Sequence, residues 1–424
     1  MEKIVLHQIY KKENVISYDF SVSKGLSEFF SGKKFEIEYS EDIESVPDSI
    51  ASIPFVCNIL PIIWLTNSKL ILKCLDRNFY DCLPNVKKGY EIMFPESEFK
   101  GELEVSKIEL NESSPTSRCA MFYSGGVDSM QTLVSHLDEN PDLISIWGSD
   151  IQYNNREAWD LVHKAIEEAS QKCDLKDIVI HSSFRKFDNE GVLHKRFSRQ
   201  LKDGWWHGVK HGIALLGHVA PYAYLHDITT MYIASSHCPA DGKVRCASNP
   251  LIDNSVRFGN CKVVHDGFEY SRQDKIHNIV EFNRKNNLNL PLHVCWESQS
   301  GGNCCRCEKC YRTIVGILAE EEDPSKYGFD NWEENIKYMR QNLVLKKSMY
   351  EETFRSYWTH IQKRLFENRH FLKGKSYWKY IRWILDADFT HPEKLKMPLL
   401  YRMRSIFSNF LFYQKLHELK VNRQ

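Results

Sequence analysis

The chain carries a short glycine-containing loop between an apolar segment, Cys119–Tyr123, and a helix-like stretch, Met130–Leu137. The loop reads Ser124, Gly125, Gly126, Val127, Asp128, Ser129. This order predicts a strand, a tight turn and a helix N-terminus. The first N–H groups of a helix have no internal partners and carry a partial positive charge, which favours an anion. We therefore predict that the loop holds nucleotide phosphates.

The residue types in this loop support that prediction. Gly125 and Gly126 permit a positive φ and a close approach of the main chain to phosphate oxygens, while Ser124 and Ser129 add hydroxyl donors. Asp128 cannot bind a bare anion, so we expect it to hold Mg²⁺ against the phosphates. The alternative is an ordinary turn followed by an N-cap pair. The whole string between a strand and a helix favours the phosphate site, and it is not a Walker loop.

The pattern from residue 119 onward indicates an α/β fold. We predict strands and helices that alternate, with strands at 119–124, 143–148, 177–183, 231–236 and 292–296, and helices at 130–138, 155–172, 208–224 and 272–285. Such alternation predicts a parallel sheet that is covered on both faces, with ligands at the carboxyl ends of the strands. The glycine loop follows the first of these strands.

Three regions are predicted along the 424 residues. Residues 1–112 show short β-like runs and no nucleotide motif, and we interpret them as a separate small α+β domain. A linker at 111–117 precedes the α/β domain at 118–322. Residues 323–424 form a basic, aromatic, helical extension, because residues 331–424 hold 19 Lys and Arg against 9 Asp and Glu. Its Tyr and Trp residues can stack nucleobases, but we favour them as the inner faces of amphipathic helices.

Composition argues for a soluble cytoplasmic protein. The first residues lack the apolar region of a signal peptide, and the longest apolar run, Ile53–Leu65, is too short to span a bilayer. Thirteen cysteines are spread over a long chain with one dense cluster, which favours a reducing compartment and a metal. We expect no membrane association.

The dense cluster is predicted to bind zinc. Its spacing is C-x8-C-x2-C-x2-C, formed by Cys295, Cys304, Cys307 and Cys310. Four thiolates suit tetrahedral Zn²⁺ and leave no open position, so the metal would be structural. Cys305 interrupts the spacing and stays outside the site. Incidental cysteines, a redox pair or an iron–sulfur cluster are the alternatives.

Together these motifs resemble a known enzyme family. The glycine loop resembles the signature of the PP-loop ATP pyrophosphatases, and with the cysteine spacing it resembles the 7-cyano-7-deazaguanine synthases (QueC) over roughly residues 119–320. The string Asn303–Thr313 is closer to an extended, QueC-like group that includes members of anti-phage defence operons of the Qat and CBASS kinds. The resemblance implies a HUP/Rossmann-like PP-loop domain that uses ATP, Mg²⁺ and a structural Zn²⁺.

The resemblance also implies a reaction. A carboxylate, such as that of 7-carboxy-7-deazaguanine, attacks the ATP α-phosphate while the loop holds the leaving pyrophosphate. An amine then displaces AMP to give an amide, which the synthases activate again to give a nitrile. The chain departs from the synthases by its two extensions, so the amine is either ammonia or an amine of a protein substrate.

Further site residues follow from position in the family. Trp147 and Gly148 end the second strand, where PP-loop proteins hold adenine against main chain. Asp253 lies where the synthases read a guanine-like edge. Arg272 and Lys275 are one helical step apart and are positioned to meet phosphate. For each of these residues an ordinary cap or surface charge is the alternative.

Two other classes of function remain open. A tRNA-modifying PP-loop adenylase would use the basic extension as its RNA surface, although we do not favour nucleic acid as a partner. A non-catalytic nucleotide-binding module would be expected to lose Asp128 or a loop serine, and here every loop position is intact. We therefore favour an enzyme that forms C–N bonds.

Overall fold

The computed structural model describes residues 1–112, 117–295, 297–298, 302–344 and 352–391. The chain divides into two compact units. The first comprises Met1–Pro239 with Lys243–Gly302, and the second comprises Ala240–Gly242 with Asn303–Gln424. The boundary predicted at 322 therefore lies inside the second unit. Parts of the predicted linker at 111–117 and of the extension at 323–424 lie outside the described residues.

The first unit contains a mostly parallel sheet, which has eleven strands in the described residues. In chain order they are β1 (Lys3–Lys12), β2 (Val15–Val22), β3 (Glu36–Glu38), β4 (Lys69–Asp76), β5 (Glu102–Glu109), β6 (Cys119–Phe122), β7 (Asp142–Trp147), β8 (Asp177–Ser182), β9 (Thr230–Ala234), β10 (Arg257–Phe258) and β11 (Cys261–Asp266). Their order across the sheet is β10-β11-β9-β6-β7-β8-β3-β2-β1-β4-β5. This finding confirms the predicted α/β class.

The parallel block of the sheet is β11-β9-β6-β7-β8. Its first strand in the chain, β6, lies in the middle, with β7 and β8 on one side and β9 and β11 on the other. After β6 the chain therefore adds β7 and β8 on one side of it, and then crosses to the other side to add β9 and β11. In such sheets the carboxyl ends of the strands open a crevice at this switch point, and ligands bind there. The glycine loop follows β6 directly.

The first 112 residues extend this same sheet, which differs from the separate domain that we predicted. β3 pairs antiparallel with β8, through Ile37 opposite Ser182, and β2, β1, β4 and β5 follow. One continuous apolar core includes side chains from both parts. Because that core is shared, the polar linker joins two parts of one unit.

Two apolar helices form much of this shared core, α2 (Ile53–Thr66) and α8 (His211–Leu225). They approach closely at Gly217, where an added Cβ would come within 2.6 Å of the Cβ of Cys57. The helical run Asp48–Thr66 is long and apolar enough to cross a membrane by length and composition. However, 89% of its most apolar 18-residue stretch is buried inside the protein. We therefore describe it as a core helix of the sheet unit.

The other described α-helices of the first unit are α1 (Asp48–Ala51), α3 (Arg77–Met93), α4 (Val127–His136), α5 (Arg156–Cys173), α6 (Phe184–Phe187), α7 (Glu190–Leu201), α9 (Pro250–Asp253) and α10 (Arg272–Asn286). A π-helical turn, Trp206–Lys210, precedes α8. The four predicted helices are found close to their expected bounds. The strand predicted at 292–296 is wrong for residues 292–295, the part of it that the structure describes, because they form neither strand nor helix. The fifth strand of the parallel block is β11 instead.

The second unit is helical over its described residues. Its α-helices are α11 (Glu308–Ala319), α12 (Trp332–Asn335), α13 (Met339–Val344), α14 (Glu352–Glu367), α15 (Arg369–Leu372) and α16 (Trp378–Ile381). Trp358 of α14 is fully buried, and its indole N–H donates to Glu308 Oε1 of α11 over 3.0 Å. Arg364 of α14 binds the carboxylate of Glu320. Trp358 therefore lies on the inner face of its helix, as predicted.

Candidate functional site

The glycine loop has the strand–turn–helix form that its sequence predicts. Gly126 is the N-cap of α4, and Gly125 has a φ of +72°, a conformation that favours glycine. Ser129 lies in the first turn, and its hydroxyl donates to the carbonyl of Gly126 over 3.2 Å. The hydroxyls of Ser124 and Ser129 are 3.3 Å apart. The loop therefore brings two hydroxyls and a helix N-terminus together at the switch point.

The loop is also held by a hydrogen bond from His293, which lies two residues before Cys295. The main-chain N–H of His293 donates to the carbonyl of Gly125 over 2.7 Å. A Cβ at Gly125 would lie 3.4 Å from the Cβ of His293. A side chain at this position would therefore contact His293 and strain the backbone. Sequence reasoning missed this contact because it uses main-chain atoms, which leave no residue-type signal.

Asp128 of α4 is paired with two cations from α10. Arg272 Nη1 donates to Asp128 Oδ2 over 3.0 Å, and Lys275 Nζ donates to Asp128 Oδ1 over 3.0 Å. Lys275 also donates to the main-chain carbonyl of Ser235, which follows β9. The contacts thus connect the ends of β6 and β9, the two strands at the switch point.

The N-terminus of α10 explains why both cations reach Asp128. Ser271 is the N-cap and forms a capping box with Asp274, so the first turn is held by reciprocal hydrogen bonds. Arg272 and Lys275 then lie three positions apart on one face of that turn. Their side chains are 6% and 2% exposed, against 20% for Asp128. Two buried cations therefore lie beside the glycine loop, where a polyanion could contact them.

Helix α4 is anchored at its other end by His136. Its ring binds Asp266 of β11 over 3.0 Å and Glu139 over 2.7 Å. The hydrogen bond to Asp266 is the main cause that raises the pKa of His136 to about 9; burial opposes the shift and Glu139 adds to it. Burial would raise the pKa of Asp266, but the bonds from His136 and Thr132 outweigh it and the pKa is lowered. The helix that presents the loop is therefore tied to β11 by an ion pair.

Trp147 and Gly148 lie at the end of β7, at the same edge of the sheet as the glycine loop. The Trp147 indole stacks on His181 with centroids 3.9 Å apart, and its N–H donates to the carbonyl of Gln152. Gly148 has a φ of +109°, and a Cβ there would be 1.9 Å from the carbonyl oxygen of Ser182. Glycine is therefore required at this position for packing alone.

Asp253 has a structural setting that differs from a substrate-reading loop. It lies at the end of α9, is fully buried, and its Oδ2 accepts from Ser248 Oγ over 2.8 Å. The ring Nδ1 of His265 is 2.8 Å from the same oxygen. None of its hydrogen bonds is to the glycine loop, Arg272 or Lys275. The structure thus brings Arg272 and Lys275 to Asp128 but gives Asp253 other partners.

The four predicted cysteine ligands are grouped. The thiols of Cys295, Cys304, Cys307 and Cys310 all lie within 4.8 Å of one another. The main-chain N–H of Cys307 donates to Cys304 Sγ over 3.3 Å, and that of Cys310 donates to Cys307 Sγ over 3.4 Å. Cys307 is the N-cap of α11, so the helix dipole favours thiolates at this end. This cysteine cluster can hold a metal such as zinc.

Comparisons with family models, curated proteins and solved structures gave no match.

Cys305 is separate from the cysteine cluster, as predicted from spacing. Its backbone has a φ of +55°, and its thiol donates to the carbonyl of Asn303 over 3.6 Å. The left-handed turn at Cys305 lies between Cys304 and Cys307 in the sequence. Among the described residues, this metal-ligating group consists of four cysteines, which is the number of ligands in structural zinc sites.

Proposed function

We propose that the chain adenylates a carboxylate, converting ATP into AMP and pyrophosphate, and then transfers the acyl group to an amine. The observation that carries the proposal is the position of Asp128 in the first turn after a glycine loop, held between Arg272 and Lys275. Hydroxyl groups, helix N–H groups and two cations form a donor set that fits a polyphosphate. The carboxylate of Asp128 supplies the hard oxygen ligand that Mg²⁺ prefers.

Each of these residues has a defined role in the proposal. The glycine loop binds the β- and γ-phosphates, and Arg272 and Lys275 stabilise the charge that develops on pyrophosphate as it leaves. Asp128 would hold Mg²⁺, which when bound neutralises phosphate charge. Asp128 holds Arg272 and Lys275 beside the loop, and the two cations would share its carboxylate with Mg²⁺. The new bond joins a carboxylate oxygen to the α-phosphorus, and the bond to pyrophosphate breaks.

The second half of the proposed reaction releases AMP. An amine nitrogen attacks the carbonyl carbon of the acyl adenylate, and the carbon–oxygen bond to AMP breaks to give an amide. The resemblance to deazaguanine synthases supports 7-carboxy-7-deazaguanine or a related deazapurine as the acid, and a role in anti-phage defence. The amine is ammonia or an amine of a protein substrate. Mass spectrometry of candidate protein partners supplied with ATP and this acid tests the second option, because a conjugate gains mass.

The experiment for adenylation uses the full chain with ATP, Mg²⁺, 7-carboxy-7-deazaguanine and ammonia, because AMP leaves the acyl adenylate only when an amine displaces it. The proposal expects AMP and pyrophosphate in equal amounts, and none from Asp128→Asn. Release of ADP and phosphate would contradict it. If AMP appears only with a different acid, the adenylation chemistry stands and the deazapurine is wrong.

A second candidate function, binding of RNA by a tRNA-modifying adenylase, is favoured by one groove in the second unit. The groove has a volume of about 550 Å³. Its lining includes Trp378 and Trp383 together with the cations Lys337, Arg340, Lys379 and Arg382. The Arg340 guanidinium lies 5.3 Å from the centroid of the Trp383 ring. Aromatic faces beside cations can stack bases and bind phosphates.

This second candidate is tested by fluorescence anisotropy with single-stranded RNA at low and moderate salt. RNA binding through the groove should weaken as salt rises and weaken further in an Arg340→Ala/Arg382→Ala variant. Lys373→Ala, at an exposed position of the same unit, is the control. RNA binding that is absent at low salt, or equal in the variant and the control, would contradict this candidate.

A further inference from the structure

Three potential metal ligands come together in the first unit, apart from the cysteine cluster. They are His207, His237 and Cys246, and their ligand atoms all lie within 4.8 Å of one another. His207 belongs to the π-helical turn before α8, His237 follows β9, and Cys246 lies in the segment before α9. The three residues are 30 and 9 positions apart in the chain, which matches no short metal motif, so sequence inspection did not find this His–Cys cluster.

The surrounding contacts hold the members of the His–Cys cluster in position. His207 Nδ1 lies 2.5 Å from Asp203 Oδ2, so a carboxylate orients the ring and leaves its other nitrogen for a ligand. The carbonyl of His207 accepts from the N–H of Ala247 over 3.0 Å, which brings the preceding residue, Cys246, alongside. Metal-binding histidines commonly have such a carboxylate partner, because it fixes the tautomer and raises ligand basicity.

The His–Cys cluster lies at the switch point of the sheet. His237 is two residues beyond Ser235, whose carbonyl accepts from Lys275, the partner of Asp128. Ser235 Oγ donates to the carbonyl of His237 over 2.7 Å, which fixes this turn. The cluster is therefore linked to the glycine loop through the hydrogen bonds of Ser235, Lys275 and Asp128.

We propose that His207, His237 and Cys246 bind a second Zn²⁺ with one coordination position open to water or to a substrate group. Two imidazoles and one thiolate form a set that zinc accepts, and three protein ligands are typical of zinc sites that contact substrate. The cysteine cluster, with four ligands, is closed by comparison. Cys246 is buried and the His207 side chain is about half exposed, so solvent reaches one side of the cluster.

The competing interpretation is a Cys–His–Asp triad, in which His207 activates Cys246 as a nucleophile. The order Cys246, His207, Asp203 has the right connectivity for it. The imidazole of His237 distinguishes the triad from the zinc site, because a triad does not require a second imidazole within ligand distance of the Cys246 thiol. Three converging ligand atoms with a carboxylate behind one of them favour zinc.

The test measures zinc per chain by mass spectrometry after extensive dialysis of the full protein. We expect two zinc ions in the natural protein and one in His207→Asn, Cys246→Ser or Cys307→Ser. A Cys307→Ser/His207→Asn variant should hold none. His194→Asn, at an exposed position on α7, is the control and should keep two. Circular dichroism checks the fold of each variant, and His207→Asn is the safer one because its side chain is about half exposed.

The outcomes separate the interpretations without any assay of ATP. One zinc ion in the natural protein, unchanged in His207→Asn and Cys246→Ser, would overturn the second site. Rapid alkylation of Cys246 by iodoacetamide at neutral pH, unaffected by added Zn²⁺, would also overturn it and support the triad. Protection of Cys246 by added Zn²⁺ in protein that has been depleted of metal supports the site.

Discussion

Lys275 and Asp128 are separated by 147 residues in the chain, yet their ammonium and carboxylate groups lie 3.0 Å apart. This ion pair joins the first turn of α10 to the first turn of α4. The Lys275 side chain is 2% exposed and the Asp128 side chain is 20% exposed. Phosphate that enters the glycine loop would therefore meet a cation whose position is already fixed.

Removal of the Lys275 ammonium should reduce adenylation strongly. We expect Lys275→Met to lower kcat by about 100-fold to 1,000-fold, the usual cost of one fixed donor to a developing charge. Asp128 keeps Arg272 as its partner in this variant, so the fold should survive. Lys285→Met, at an exposed position in the last turn of α10, is the control and should keep near-normal activity. Equal activity of the two variants in a pyrophosphate-release assay would exclude this role for Lys275.

A side chain at Gly125 should weaken nucleotide binding. Gly125→Ala forces a residue with a Cβ into a φ of +72° and places that Cβ 3.4 Å from His293. Strain of this kind costs about 1–3 kcal/mol. We expect the ATP Kd to rise by about tenfold or more, measured by calorimetry with Mg²⁺. Gly191→Ala, at a helical glycine with space around it, should leave the Kd unchanged; an unchanged Kd in Gly125→Ala would argue against the loop as the phosphate site.

The His136 ion pair predicts a pH dependence of stability. The pKa of His136 is raised to about 9 in the folded protein, above its ordinary value of about 6.5 in the unfolded chain. Its stabilisation is therefore complete below about pH 6.5 and is lost as pH rises through 9. We expect His136→Gln to lower the free energy of unfolding by about 2 kcal/mol at pH 6 and by little at pH 10.

Urea denaturation at several pH values measures this difference. His7→Gln is the control, because His7 is exposed on β1 and binds only a serine hydroxyl. Its effect should be small and independent of pH. A His136→Gln penalty that is constant from pH 6 to pH 10 would show that the charge of His136 does not stabilise the fold.

The cysteine cluster should be a structural metal site. We expect Cys307→Ser to lower the zinc content by one ion per chain and to lower the thermal midpoint, by roughly 2–4 °C for each kcal/mol lost. Cys173→Ser, at a half-buried cysteine at the end of α5, should keep the full zinc content. Purified protein with the colour of iron, or full zinc in Cys307→Ser, would rule out this assignment.

The local features of this protein could be predicted from sequence, whereas the long-range ones could not. The strand, turn and helix around Ser124–Ser129 follow from apolar runs and glycines, and the cysteine grouping follows from spacing. The pairing of β3 with β8, at Ile37 and Ser182, has no local signal. The N-terminal part therefore looked like a domain of its own, although it completes the same sheet.

The same distinction applies to the site residues. Arg272 and Lys275 could be proposed because a capped helix starts at this point and puts both on one face. The role of Asp253 stays a prediction from family position; its partner His265 lies on β11, a strand that the apolar pattern did not reveal. His207, His237 and Cys246 come from three separate segments, and only folding brings them together.

The most direct test of the central claim uses a carboxylate labelled with ¹⁸O and follows the label into AMP. If a carboxylate oxygen attacks the α-phosphate and an amine later displaces AMP, the released AMP carries one labelled oxygen from the acid. Mass spectrometry of AMP from the full protein, with ATP, Mg²⁺, ammonia and labelled 7-carboxy-7-deazaguanine, should show this single label, and Lys275→Met should slow its appearance. AMP that forms without label, or ADP in its place, would contradict adenylation of the carboxylate.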